Sequence, residues 1–91
     1  MKLLYNNTIL GVVSDIHHEG YWYYGIFEKN DNFDAFTSFF EDLTSEECIK
    51  ENIYDQGYYN DDNWYILMQD TMQGICLPAI YSDGEIAFRF R

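Results

Sequence analysis

The sequence predicts an α+β domain in which an antiparallel sheet of about five to six strands carries one or two helices on one face. Three observations predict it. Aromatic and β-branched runs occur in two groups of three, one on each side of a helical segment. The connections within each group are short, which favours antiparallel pairing. And a single stretch, Tyr21 to Leu43, passes from strand to helix within a few residues.

In the strand half of that stretch, Tyr21, Trp22, Tyr23, Tyr24, Ile26 and Phe27 are residue types that suit a pleated surface. Alternation places Trp22, Tyr24 and Ile26 on one face and Tyr21, Tyr23 and Phe27 on the other. Both faces are apolar, so the strand is read as central. After Lys29-Asn30-Asp31 the period changes. At about 100° per residue, Phe33, Phe36, Phe39, Phe40 and Leu43 share an arc of roughly 120°, opposite Asp34, Thr37, Ser38, Glu41 and Asp42. This is the pattern of a helix lying on a sheet, with Asp31 or Asn32 as the expected cap.

Before this stretch, Leu3 to Tyr5 and Thr8 to Val13 read as strands joined across Asn6-Asn7, a pair that tolerates the positive φ of a tight hairpin. The second strand is expected to place Leu10, Val12 and Ile16 on one side, and His17-His18-Glu19-Gly20 to form the next turn. Past the first helix, Thr44-Ser45-Glu46-Glu47 has the form of a capping box for a second, shorter helix ending near Gln56 and Gly57. Trp64 to Met68 reads as a buried strand turned by Asp70-Thr71. Met72 to Tyr81 reads as a strand interrupted at Pro78, and therefore as lying at an edge or bulge. Asp83-Gly84 is a hairpin signal, and the closing strand alternates Ile86, Phe88 and Phe90 inward with Glu85, Arg89 and Arg91 outward.

The 91 residues fit one domain, 1–91, with 20% aromatic residues and a single proline. No apolar run approaches the roughly 18 residues needed to span a bilayer, and the expected location is the cytoplasm. Cys48 and Cys76 are too few and too scattered for a disulfide framework and are expected as reduced thiols. Sixteen acidic residues against five basic ones leave a formal charge of −11. Direct binding of nucleic acid is then disfavoured, because release of phosphate counterions needs lysine and arginine. Eleven of the acids and two of the bases fall between Glu28 and Asp62, which concentrates −9 of the −11 in the middle of the chain.

Catalytic motifs are weak. Val12-Val13-Ser14-Asp15-Ile16-His17 resembles the first metal-binding motif of the metallophosphoesterases, but the later Gly-Asp-x-x-Asp and Gly-Asn-His-Glu motifs that complete a two-metal site do not occur, and His17 and His18 are the only histidines. Adjacent histidines on a strand point to opposite faces, which argues against a shared ion. Neither cysteine has a histidine near it in sequence, Cys48 lies among acids that would raise a thiol pKa, and no glycine-rich phosphate loop occurs. The expectation is a protein that is not an enzyme, with no cofactor and no metal.

What remains is an acidic, tyrosine-rich segment. Tyr54, Tyr58, Tyr59 and Trp64 are interleaved with Asp55, Asp61 and Asp62, and aromatic anchors within a negative field suit capture of a basic protein partner. In size, charge and aromatic content the chain is similar to the immunity proteins that neutralise bacterial toxins and to phage proteins that imitate DNA. A Gly-Ile-Phe strand end, Asn-Phe-Asp-Ala-Phe before Phe39-Phe40-Glu41, and the closing Asp83-Gly84-Glu85-Ile86-Ala87-Phe88-Arg89 look like small bacterial proteins with no assigned activity. The expected function is a non-catalytic protein-binding module of immunity or inhibitor type, whose partner is a toxin or a nucleic-acid-binding protein. The alternative is a structural or accessory protein that forms a homodimer through apolar sheet surface, and a third option is a small ligand held between the aromatic strand and the helix.

Overall fold

The computed structural model describes residues 1–44 and 55–91. The second predicted helix, with Cys48 and Tyr54, falls outside the described residues apart from its expected end. At that end Gln56–Tyr59 forms a 3-10 turn.

The chain forms β1 (Lys2–Tyr5), β2 (Thr8–Glu19) and β3 (Trp22–Lys29), then a 3-10 turn (Asp31–Phe36) running directly into helix α1 (Thr37–Leu43). Two 3-10 turns, Gln56–Tyr59 and Asp61–Asn63, lead to β4 (Trp64–Met68), β5 (Thr71–Gly74), β6 (Ala79–Ile80) and β7 (Glu85–Phe88). All seven strands belong to one antiparallel sheet in the order β5-β4-β1-β2-β3-β7-β6. The α+β class is as expected, with more strands than the five to six predicted. The surplus comes from Pro78, which lies between β5 and β6 and divides the Met72 to Tyr81 run in two.

That divided run also closes the sheet. Its first part pairs with β4 at one edge and its second part with β7 at the other. Between them Ile75 bridges Phe90, the Cys76 N–H donates to Arg89 O at 2.9 Å, and the Arg91 N–H donates to Gly74 O at 3.2 Å. The sheet is thereby curled into a barrel that closes at this seam. Arg91 reinforces the seam, its Nε donating to Ile75 O and its Nη2 to Trp64 O, both at 2.9 Å.

Curvature of this degree needs breaks in the regular pleat, and β2 supplies two. Opposite β1 the pairing slips between Leu3 and Leu4, leaving Leu10 as an extra residue. Opposite β3 it slips between Ser14 and His17, where Asp15 takes φ +53° and two residues face one. Each bulge bends the strand and resets the phase of its side chains. Leu10, Val13 and Ile16 therefore turn inward, and Val12, expected beside Leu10 and Ile16, is exposed. β2 also continues through His17, His18 and Glu19, so the turn falls one step later, at Gly20-Tyr21 with Gly20 at φ +61°. The β4–β5 turn likewise falls one residue early, with Gln69 at φ +53°.

The Leu10 bulge leaves carbonyls that the start of the helical segment takes up. Asn30 caps that segment, its Oδ1 accepting from the Asn32 N–H, in place of the Asp31 or Asn32 cap expected. Its Nδ2 and that of Asn32 both donate to Ile9 O, and its backbone N–H donates to Leu10 O. Held at this entry, the segment lays Phe33, Phe36, Phe39 and Phe40 onto Leu10, Val13, Phe27, Trp64 and Ile80 in one buried cluster, with Leu43 packed at its side. Burial of such side chains contributes about 1.5–3 kcal/mol each.

Gly11, just after the first bulge, has no room for a side chain, because a Cβ there would overlap the Glu28 carbonyl and lie 2.7 Å from the Phe27 ring. Gly11→Ala is expected to lose about 1–3 kcal/mol in urea unfolding through forced backbone displacement. At Gly20, where a Cβ meets open space, alanine is expected to cost about 1 kcal/mol from φ alone.

Candidate protein-binding surface

From Asp55 on, the acidic, tyrosine-rich segment is a bracket across the barrel, and its Tyr58, Tyr59 and Trp64 side chains pack on the core. Trp64 has no exposed surface. Its ring lies 5.5–5.7 Å from those of Phe36 and Phe40, and its Nε1 donates to Tyr58 O at 3.0 Å. Tyr58, half-buried, lies tilted against Phe36 with centroids 4.5 Å apart and meets Tyr5 edge-on at 5.4 Å, while Tyr59 meets Phe39 at 5.1 Å. Trp64 therefore cannot serve as the anchor expected from the sequence. It is core because it opens β4, whose inward positions are Trp64 and Ile66.

The three aspartates are exposed, and each also has a partner within the fold. Asp55 caps the turn Gln56–Tyr59, its Oδ1 accepting from the Gly57 N–H at 2.8 Å. Asp61 Oδ1 accepts from the Leu77 N–H at 2.7 Å. Asp62 lies 3.4 Å from Arg91, a pairing open to solvent and worth little by itself. Asp61 has the clearest structural duty. At the break between β5 and β6 the Cys76 N–H is taken by Arg89 and Pro78 has none, so its carboxylate supplies the acceptor that Leu77 would otherwise lack. Asp61→Ala is expected to lower stability by about 1 kcal/mol in urea unfolding. Stability equal to the wild type would contradict this role.

Tyr5 sits beneath the bracket, its ring 5.0 Å from Trp64 and 5.1 Å from Phe36. Burial raises its phenol above the ordinary 10.0; Asp55 and Tyr58 push the same way, and a hydrogen bond with the Asn63 side chain opposes them. A raised pKa means that the unfolded chain ionises first. The contribution of Tyr5 is then fully present below about pH 10 and is lost as pH rises through the folded value. Tyr5→Phe, compared with wild type in urea midpoints from about pH 9 to about pH 11, is expected to lose less of its stability over that window.

The exposed aromatic surface lies elsewhere, on the outer face of β2, β3 and β7. β3 is central in pairing but covered on one side only. Gly25 and Phe27 are buried and Tyr23 packs on Phe88 and Phe90, while Trp22 and Ile26 are 41% and 40% exposed with Tyr24 between them. Tyr21, at the hairpin tip, is 86% exposed. The strand is central in the sheet, as expected, but its outer face is open, because the helical segment packs on the inward side alone. The parity of Glu28 was the available signal, since period two puts it on the same face as Trp22, Tyr24 and Ile26.

Register places acids around this stripe. Trp22 pairs with Glu19, Ile26 lies between Ser14 and Glu85, and Glu28 pairs with Val12. His17 stacks on Tyr24 with centroids 5.6 Å apart, and Arg89 lies over the Trp22 ring at 5.6 Å. Between the second bulge and β7 the face dips into a shallow depression lined by Asp15, His17, Tyr24, Ile26 and Glu85. The Asp-x-His motif is therefore surface on an exposed strand. Among the described residues no three His, Cys, Asp or Glu side chains are grouped to hold a metal ion. Nor is any helix among them long and apolar enough to cross a membrane. No protein-family model, no curated protein and no solved structure matches this chain.

Proposed function

We propose that this protein is a small non-catalytic binding module that engages a basic protein, of the immunity or inhibitor type, through the outer face of β2, β3 and β7. The observation that carries the reading is the outward row of exposed Trp22, half-buried Tyr24 and exposed Ile26 on the sheet, flanked by Asp15, Glu19, Glu28 and Glu85. Tryptophan and tyrosine are the side chains that most often dominate binding energy, and here the backbone beneath them is fixed by strands on both sides. The surrounding carboxylates and the net charge of −11 favour fast encounter with a positive surface and oppose an acidic one. Toxins and nucleic-acid-binding proteins present such surfaces. Asp55, Asp61 and Asp62 add to the field at long range, and Tyr58 and Tyr59 offer only their half-buried rims.

The same exposed row also supports the second reading, a homodimer packed sheet face to sheet face. The two readings separate by salt and by mass. For a basic partner retained by the immobilised protein, affinity is expected to fall at least tenfold between about 50 mM and about 500 mM NaCl. Trp22→Ala is expected to weaken it by about 2 kcal/mol, roughly thirtyfold. Binding unaffected by salt and by this substitution would overturn the proposal. A dimer in sedimentation that Trp22→Ala disrupts would favour self-association.

A further inference from the structure

A second concavity lies on the opposite side of β3, between the helical segment and the β6–β7 turn. It is a cleft of about 210 Å³ floored by Phe27, Phe33, Phe40 and Ile80, with Lys29 and Glu41 among its lining residues. The floor side chains are 2–7% exposed and belong to the main core, so the shape of the cleft is set by packed side chains. Lys29 comes from the end of β3 and Glu41 from α1. Among the described residues, Arg91 with Asp62 is an ion pair, while Lys29 and Glu41, on one small cleft, are not joined in one.

We infer that this cleft binds a free α-amino acid with an apolar side chain. The volume is below the roughly 300–1,000 Å³ of pockets that hold drug-sized ligands, which selects a molecule of amino-acid size. The floor of three phenylalanines and an isoleucine takes a branched or aromatic side chain. The rim offers opposite charges at two points, Lys29 for a carboxylate and Glu41 for an ammonium. A simple fatty acid would meet the carboxylate of Glu41, and a simple amine would meet the ammonium of Lys29. A neutral apolar ligand would leave both exposed groups to water and gain nothing from either. A zwitterion satisfies both, and having no net charge it is not repelled by the −11 of the whole chain.

The test is a ¹⁵N-resolved NMR titration of the full chain with L-phenylalanine, L-leucine, glycine, 3-phenylpropanoate and 2-phenylethylamine. Phenylalanine or leucine is expected to shift the amides of Thr37, Ser82 and Gly84 saturably, with a dissociation constant on the order of a millimolar. Glycine, lacking the side chain, is expected to give no saturable shift. The two phenyl analogues, each lacking one charged group, are expected to bind at least about tenfold more weakly. Lys29→Met and Glu41→Gln change exposed side chains, so their spectra should remain those of the folded protein while each weakens binding by a similar factor. Absence of saturable shifts with both amino acids overturns the inference, as does equal binding by the analogues or by the two variants. The binding face proposed above shares none of these residues, so either idea can fail while the other stands.

Discussion

The structure depends on the bending of one strand. β2 is twelve residues long and pairs with β1 over residues 8–12 and with β3 over residues 11–19, so it must turn through the curvature that lets the sheet close. It does so at two places where an extra residue interrupts the ladder. A bulge leaves backbone groups without their regular partners, and in a small domain those groups need another acceptor or donor. Here the need is turned to use at Ile9 and Leu10, whose carbonyls are bound by Asn30 and Asn32. The position of the four-phenylalanine face is thus tied, through two asparagines, to the point where β2 bends.

The same logic governs the seam. Where Pro78 stops the ladder, the chain passes from one edge of the sheet to the other, and each amide along the gap has a defined acceptor. Arg89 O takes Cys76 and the Asp61 carboxylate takes Leu77. Arg91 contributes two side-chain donors to carbonyls on either side. Closure therefore rests on polar groups at the seam as well as on the apolar interior. It also explains why aspartates that look like free surface in the sequence are found capping and bracing turns.

What the sequence discloses follows from the range over which each signal acts. Period is local, so the helical face Phe33, Phe36, Phe39, Phe40 and Leu43, the alternation of Ile86, Phe88 and Phe90, and the turns at Asn6 and Gly84 are legible directly. A bulge is not local. Nothing in Ile9-Leu10-Gly11-Val12 announces that the partner strand slips by one, and without that knowledge Val12 is assigned to the wrong face. The burial of the bracket's aromatic side chains is hidden for a related reason. Trp64 and Tyr58 are equally aromatic whether they face a partner or the core, and only the position of the bracket over Phe36 and Phe39 decides between them. In β3, by contrast, Glu28 carries the answer in its parity, and the row Trp22, Tyr24, Ile26 could have been placed outward from sequence alone.

The charge distribution bears on which occupant that row suits. Two copies meeting face to face would bring Glu19, Glu28, Glu85 and Asp15 of one against the same groups of the other, with a formal −11 on each chain. Apolar contact between Trp22 and Ile26 would have to exceed that repulsion, and the only arginine close to the row, Arg89, already lies over Trp22. A basic partner meets the opposite balance, since every carboxylate that opposes self-association assists its approach and the aromatic contact is then added to an attractive field. The acids need not be deeply buried for this, because their effect on encounter rate acts over a Debye length of about 8 Å at physiological salt. On the proposed reading, the face would discriminate by sign before it discriminates by shape. This ordering suits a small protein whose rigid sheet presents its aromatic side chains without further rearrangement.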